Sequence, residues 1–203
     1  VTWDIVPAYD ANGVEIEMFA DTWICPTIDA ADLNGDGKDD IVVGTSHPER
    51  TNFPPGMEGT YEYQFYASRL YVMYNISDSS QLAFSEPEML EADGSPITAF
   101  GYIYQRLTDL NKDGLIDIVV GQGKPGMKWY KNIGTQLQPE FTYGGQISDQ
   151  ENQPVLSVFA LRPFFGDLNS DGCPEMMTTT YYGGTSHLVR FDQQNVESNN
   201  WST

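Results

Sequence analysis

Three nine-residue loops, each rich in side-chain oxygen and each running straight into a strand-like segment, constrain this chain more than any bulk property. The first is Asp32-Leu33-Asn34-Gly35-Asp36-Gly37-Lys38-Asp39-Asp40, followed by Ile41-Val42-Val43-Gly44. Side-chain oxygens at positions one, three, five and nine (Asp32, Asn34, Asp36, Asp40) can converge on one hard cation. The carbonyl of position seven (Lys38) adds a ligand, and Gly37 permits the sharp turn. A set made only of oxygen suits calcium, which takes about six to eight oxygens in flexible geometry; zinc would ask for His or Cys. The loop returns as Asp109-Leu110-Asn111-Lys112-Asp113-Gly114-Leu115-Ile116-Asp117 before Ile118-Val119-Val120-Gly121. A third copy, Asp167-Leu168-Asn169-Ser170-Asp171-Gly172-Cys173-Pro174-Glu175, precedes Met176-Met177.

An EF-hand or dockerin shares the first six loop positions but fails twice. Position twelve is Val43, Val120 or Thr178 where a bidentate Glu is needed, and the flanks read as strands where helices are needed. Loop starts at 32, 109 and 167 are 77 and 58 residues apart, and the 19 extra residues match a Pro-rich excursion (Pro48, Pro54, Pro55, Gly56) with its aromatic continuation. The period is therefore near 58, with one insertion at 46–68, and such self-similarity means repeat architecture. The predicted layout is an N-terminal strand segment 1–22 and repeats 23–92, 93–150 and 151–203. The second repeat is the clearest, with strands predicted at 100–107, 117–121, 127–132 and 141–147. In the third, 158–165, 175–181 and 187–191 read as strands, and the polar run 192–203 predicts a missing or frayed last strand.

The formal charge of −19, with only 10 Lys and Arg, argues against nucleic acid, whose phosphates need basic contacts. Nine of the 29 acidic residues occupy loop positions one, five and nine, so much of that charge has a local purpose. No apolar run is long enough to span a membrane as a helix. A start at Val1 without a leader is what a processed secreted protein would show, and extracellular calcium would saturate even weak loops. The expected location is therefore the cell exterior or surface. Cys25 and Cys173 are too few for a disulfide framework and read as buried thiols more readily than as a bridge. Asn75 and Asn200 match the N-glycosylation pattern.

A strand, Asp-x-Asn-x-Asp-Gly-x-x-Asp, Ile-Val-Val-Gly, then Lys128-Trp129-Tyr130-Lys131-Asn132 and a final strand with Phe141 resembles the FG-GAP and VCBS repeats of integrin-α-like β-propellers. The resemblance covers about residues 23–192. It implies an all-β fold in which each repeat is a four-stranded antiparallel blade whose loop joins the first two strands and holds calcium, up to three ions in all. The implied ligands are Asp32, Asn34, Asp36, Lys38 and Asp40; Asp109, Asn111, Asp113, Leu115 and Asp117; and Asp167, Asn169, Asp171, Cys173 and Glu175, with position seven acting through its carbonyl. The third loop departs from the pattern at Pro174 and Glu175, and Met176-Met177-Thr178 replaces the aliphatic triplet, which predicts a weaker third site.

A propeller has about four to eight blades, so three form an incomplete ring. Either the chain belongs to a longer propeller, or blades of another chain complete it, or blades stack openly in a homo-oligomer or fibre. In the assembly case the strand-like Val1 to Val6 would complete the third unit of a neighbouring copy. For catalysis the sequence offers little: His47 and His187 read as ordinary residues, and no nucleophile elbow or phosphate loop is present. Some propellers with similar repeats are polysaccharide lyases, which keeps one enzyme alternative open. Tyr61, Tyr63, Phe65, Tyr66, Tyr181 and Tyr182 could stack on sugars, or pack between blades. The expectation is a non-catalytic, calcium-binding extracellular module for adhesion or surface assembly, with carbohydrate or protein ligands.

Overall fold

The structure, a computed structural model, describes residues 7–16, 24–47, 67–78, 81–100, 102–122, 126–149, 154–155, 161–170, 174–182, 185–193 and 200–202. The described elements are all strands. In chain order the first are β1 (Ile24–Ala31), β2 (Asp40–His47), β3 (Ala67–Met73) and β4 (Glu88–Met89). Three short ones follow: β5 (Glu91–Ala92), β6 (Ser95–Pro96) and β7 (Thr98–Phe100). Then come β8 (Tyr104–Thr108), β9 (Asp117–Gly121), β10 (Lys128–Asn132), β11 (Phe141–Gln146) and β12 (Ser148–Asp149). The last four are β13 (Phe164–Gly166), β14 (Glu175–Tyr182), β15 (Thr185–Gln193) and β16 (Asn200–Ser202).

These make three sheets: β1-β2-β3-β4 with β7 also on β3, then β6-β5-β11-β10-β9-β8, then β12-β16-β15-β14-β13. Each holds four consecutive antiparallel strands, with a nine-residue loop joining the first two. The predicted excursion lies between β2 and β3; residues 48–66, like Val1 to Val6 and Tyr61 to Tyr66, lie outside the described residues. Where the sequence predicts a missing or frayed last strand, the three-residue β16 pairs with β15 through Asp192↔Ser202 and Gln193↔Trp201. The boundary drawn at 92–93 falls inside the β5–β6 hairpin, which joins the second sheet, after which β7 returns to pair with β3 of the first. The signal for that hairpin is Asp93-Gly94, both at positive φ (53° and 71°), a two-residue turn of the kind that matches strand twist. Asp93 then accepts hydrogen bonds from the Tyr143 N–H (2.9 Å) and the Thr142 hydroxyl (2.7 Å), pinning the hairpin to β11.

Side-chain alternation decides how the sheets stack. In β9 every residue is buried, Ile118 and Val120 joining a core with Val42, Leu70 and Val72 of the first sheet, and Val119 joining one with Leu161 and Met176 of the third. The second sheet is therefore covered on both faces, which is why its strand is an unbroken aliphatic run. A smaller cluster, Val43, Met73 and Phe84, lies on the other face of the first sheet against Ile16. The strands that open each sheet approach one another. Gln105 of β8, buried, donates to the Val42 carbonyl (2.9 Å) and the Thr27 carbonyl (3.1 Å) and accepts from the Thr27 hydroxyl (2.7 Å). Arg106 pairs with Asp29 (3.5 Å) and donates to the Pro163 carbonyl (2.9 Å), so one side chain ties all three sheets.

The glycine that ends each Ile-Val-Val-Gly run is where the next sheet arrives. A Cβ on Gly44 would stand 2.6 Å from Ile103 and 2.8 Å from Gln105, and one on Gly121 would strike the Leu161 carbonyl and Pro163.

Candidate functional site

Loops one and two share their N–H-to-side-chain hydrogen bonds atom for atom, and loop two adds the Asn111 amide donating to Asp113 (2.8 Å). Asp32 accepts from the N–H of Asp36 (3.1 Å) and Gly37 (2.9 Å); Asp109 accepts from Asp113 (3.1 Å) and Gly114 (2.9 Å). Asn34 and Asn111 accept from the same position-five N–H, at 3.1 and 3.2 Å. Asp36 and Asp113 accept from position seven, Lys38 at 2.9 Å and Leu115 at 3.0 Å. Short polar side chains that bind backbone ahead of them make such a turn without help from either strand. Position four is left-handed in all three loops, at Gly35 (φ 69°), Lys112 (61°) and Ser170 (63°), and position six is glycine at positive φ in the first two. The third loop thus enters its turn in the same way, although Asp171 and Cys173 lie outside the described residues.

Position nine behaves differently from the other acids. Asp40 and Asp117 are fully buried, and Glu175 is 2% exposed. Asp40 accepts from the N–H of Leu33 (3.1 Å) and of Asn75 (2.8 Å); Asp117 accepts from Leu110 (3.1 Å) and Asn132 (2.8 Å); Glu175 accepts from Leu168 (2.7 Å). Burial raises both aspartates above the ordinary carboxylate range, Asp117 to about 6, and the N–H bonds only partly offset it. At Asp113 burial also opposes ionisation, but the Asn111 amide, the Leu115 N–H and the Lys131 ammonium at 3.4 Å outweigh it and the acid is lowered. Among the described residues, no three acidic, His or Cys side chains are gathered as a metal-holding group. The donors that could hold a cation are the oxygens of positions one, three, five and seven in one turn and the position-nine carboxylate beneath them, each of whose oxygens accepts one N–H in the first two loops.

Asn75 and Asn132 carry a role that sequence reasoning missed. Asn132 ends β10 and Asn75 stands two residues beyond β3; each donates its amide to the carbonyl of loop position eight (Asp39, 3.1 Å; Ile116, 3.2 Å) and accepts the N–H two residues on (Ser77, 3.1 Å; Gly134, 3.0 Å). The readable signal was slight, since Met73-Tyr74-Asn75 and Tyr130-Lys131-Asn132 share only the Asn in register. Asn75, a glycosylation candidate, is thus half-buried and engaged on Asp39; Asn200 opens β16. His47 ends β2 and His187 lies in β15 opposite Thr180. Cys25 lies in β1.

With strand, loop and strand placed in all three sheets, the family comparisons fall on the same stretches. Residues 26–51 match the FG-GAP repeat, and residues 109–178 match the FG-GAP-like repeat. Both stretches are FG-GAP-type repeats. The matched stretches contain all three loops whole, together with β2, β9 and the first half of β14. FG-GAP repeats are non-catalytic structural modules of the adhesion type, generically calcium-binding and typically extracellular, so the polysaccharide-lyase alternative draws no support from the family. Among the described residues, no helix is long and apolar enough to cross a membrane.

Proposed function

We propose that this FG-GAP chain is a calcium-stabilised module for adhesion or surface assembly, its three sheets serving as blades of a propeller-type array. The observation that carries the reading is that loops one and two share the same N–H-to-side-chain bonds, which fold oxygen-only donors into one turn. A carboxylate oxygen that accepts one N–H keeps a lone pair for a cation. The proposed ligands are Asp32, Asn34, Asp36, the Lys38 carbonyl and Asp40; Asp109, Asn111, Asp113, the Leu115 carbonyl and Asp117; and, more weakly, Asp167, Asn169, Asp171, the Cys173 carbonyl and Glu175. Bound calcium would offset the repulsion among these acids, and its binding free energy would add to folding.

The approach of β1, β8 and β13 supports the blade reading, since the opening strands of successive blades lie side by side around a propeller axis. In this reading the repeats occupy 23–92, 93–150 and 151–203, with 1–22 preceding them, and further blades from the same or another chain extend the array. Melting the chain in millimolar calcium and again in excess chelator tests the metal. A large drop in melting temperature with chelator is expected, and an unchanged melt would overturn the calcium reading. Mass in solution with calcium present tests assembly: a stable 22.7 kDa monomer at all concentrations would remove self-association.

A further inference from the structure

We propose that the cleft where β1, β8 and β13 meet is a binding site for one ring of a neutral saccharide, built from Asp29, Arg106, Thr108 and Phe164. The cleft has a volume of about 240 Å³ and is lined by these four with Leu107 and Phe165. Asp29, Arg106 and Phe164 stand at one and the same repeat position, three residues before the first Asp of each loop. The neighbouring positions keep their kind across the repeats. Two before the loop stand the apolar Ala30, Leu107 and Phe165, and one before it stand the small Ala31, Thr108 and Gly166. Three before it stand an acid, a base and an aromatic, and five before it, on the same strand face, stand Thr27, Tyr104 and Arg162. A position that only packs a repeated sheet would keep one kind of side chain; this one supplies three different chemistries to a single cleft.

The polar groups are held in place before any ligand arrives. Arg106 donates from Nε to the Pro163 carbonyl (2.9 Å) and pairs through Nη1 with Asp29 (3.5 Å), whose other oxygen accepts the Leu107 N–H (2.9 Å). At the next position on that face, the Arg162 guanidinium lies 4.3 Å from the Tyr104 ring centre and donates to its hydroxyl (2.8 Å), which ties the approach to β13 against β8. Among the described residues, Arg106 Nη2 and the Thr108 hydroxyl have no hydrogen-bond partner. The Phe164 ring reaches back over Gly166, where a Cβ would stand 3.1 Å from it, and stays 52% exposed. A guanidinium donor, a carboxylate acceptor and a hydroxyl that does both match vicinal hydroxyls, and an open aromatic ring matches the C–H face of a pyranose. Arg106 and Asp29 cancel in charge, and a chain of net charge −19 repels polyanions, so the ring is uncharged. At about 240 Å³ the cleft is smaller than the roughly 300–1,000 Å³ of sites for drug-sized ligands, so it takes one ring of a glycan whose remainder stays in solvent.

Such a site gives the adhesion reading its contact, and it rests on the meeting of the three sheets, not on calcium. The test is titration of the isotope-labelled full chain, kept in millimolar calcium, with glucose, galactose, mannose and N-acetylglucosamine in turn, read by backbone amide NMR shifts. At least one of these sugars is expected to move the amides of Arg106, Thr108, Phe164 and Phe165 together and saturably, with a dissociation constant of about 1 mM. Phe164→Ala should weaken that binding about fivefold or more, and Thr108→Val roughly three- to tenfold, with amides remote from the cleft unmoved. Silence from all four sugars would overturn the site, as would binding that both variants leave intact. Glucuronate is the charged control: if it alone binds, the cleft takes an anion and the neutral assignment fails. Melting the same samples with and without chelator separates the two readings. A chain that binds sugar and melts alike in both keeps the cleft and loses the calcium, and a chain stabilised by calcium that binds no sugar does the reverse.

Discussion

The second and third sheets share one register and differ in what lies on their far side. Leu110, at loop position two of the second sheet, is 2% exposed and packs with Val119, Leu161 and Met176; Leu168 is the same residue at the same loop position and is 55% exposed. Gly121 ends β9 where Leu161 and Pro163 of the next sheet cross it, while the corresponding residue of β14 is Thr179, exposed. The first sheet behaves like the second, with Leu33 buried and Gly44 beneath Ile103 and Gln105. A repeat residue is therefore buried by its neighbour sheet and not by its own identity. The glycine is the sharper marker, because it is required where another sheet's chain must come close.

Four measurements would break or sharpen this contrast. The largest effect is expected from Leu110→Ala, which should cost about 2–5 kcal/mol in urea unfolding by leaving a cavity between two sheets. Leu168→Ala should cost less than about 0.5 kcal/mol, and equal losses would erase the distinction. Next comes Gly121→Thr, which copies the third sheet into the second and drives a side chain into the Leu161 carbonyl; a loss of about 1–3 kcal/mol is expected, against a smaller change for Thr179→Gly. Third, under saturating calcium, Asp113→Ala should lower the melting temperature more than Asp171→Ala, because Pro174 and Glu175 weaken the third loop as a metal site; the reverse order would make the third loop the stronger one.

The smallest effect concerns the outer edges. In the second sheet β5 runs parallel to β11 and in the third β12 runs parallel to β16, but only in the second do the described bonds include an acid, Asp93, on the edge. The Tyr143 N–H, with help from the Thr142 hydroxyl, holds Asp93 below its ordinary value of 3.8. A folded-state value below the unfolded one means that the contribution is present above 3.8 and disappears as pH falls through the folded value. Asp93→Ala should therefore flatten the acid end of the stability–pH curve slightly and leave neutral pH almost unchanged. A slope that survives the substitution would assign it to other acids.

Much of this was readable because it is local. Asp32 to Asp40 builds its turn from its own side chains and N–H groups, so the spacing of oxygens, glycines and the following aliphatic run announces loop and strand together. The predicted strand 117–121 coincides with β9, whose ends are set by Asp117 and Gly121. The segment 91–100 was harder. Its strands are two or three residues long, too short for alternation to register, and they pair with β11 and β3, far away in the chain. The position-nine acids were legible as oxygen donors and illegible as buried acceptors, since burial depends on Leu33, Leu110 and the third strand closing over them.

By itself the sequence determined the all-β class and the three oxygen-lined loops, each running into a strand, all consequences of short-range pattern. Only the tertiary structure decided which face of each sheet is covered, that Leu33 and Leu110 are core while Leu168 is surface, and that Asp40 and Asp117 look inward. The physical reason is that identical residues at identical loop positions acquire different energies from what packs against them. A leucine is stabilising only when a second sheet removes it from water, and a carboxylate becomes a structural acceptor only when strands from elsewhere bring it N–H groups to bind.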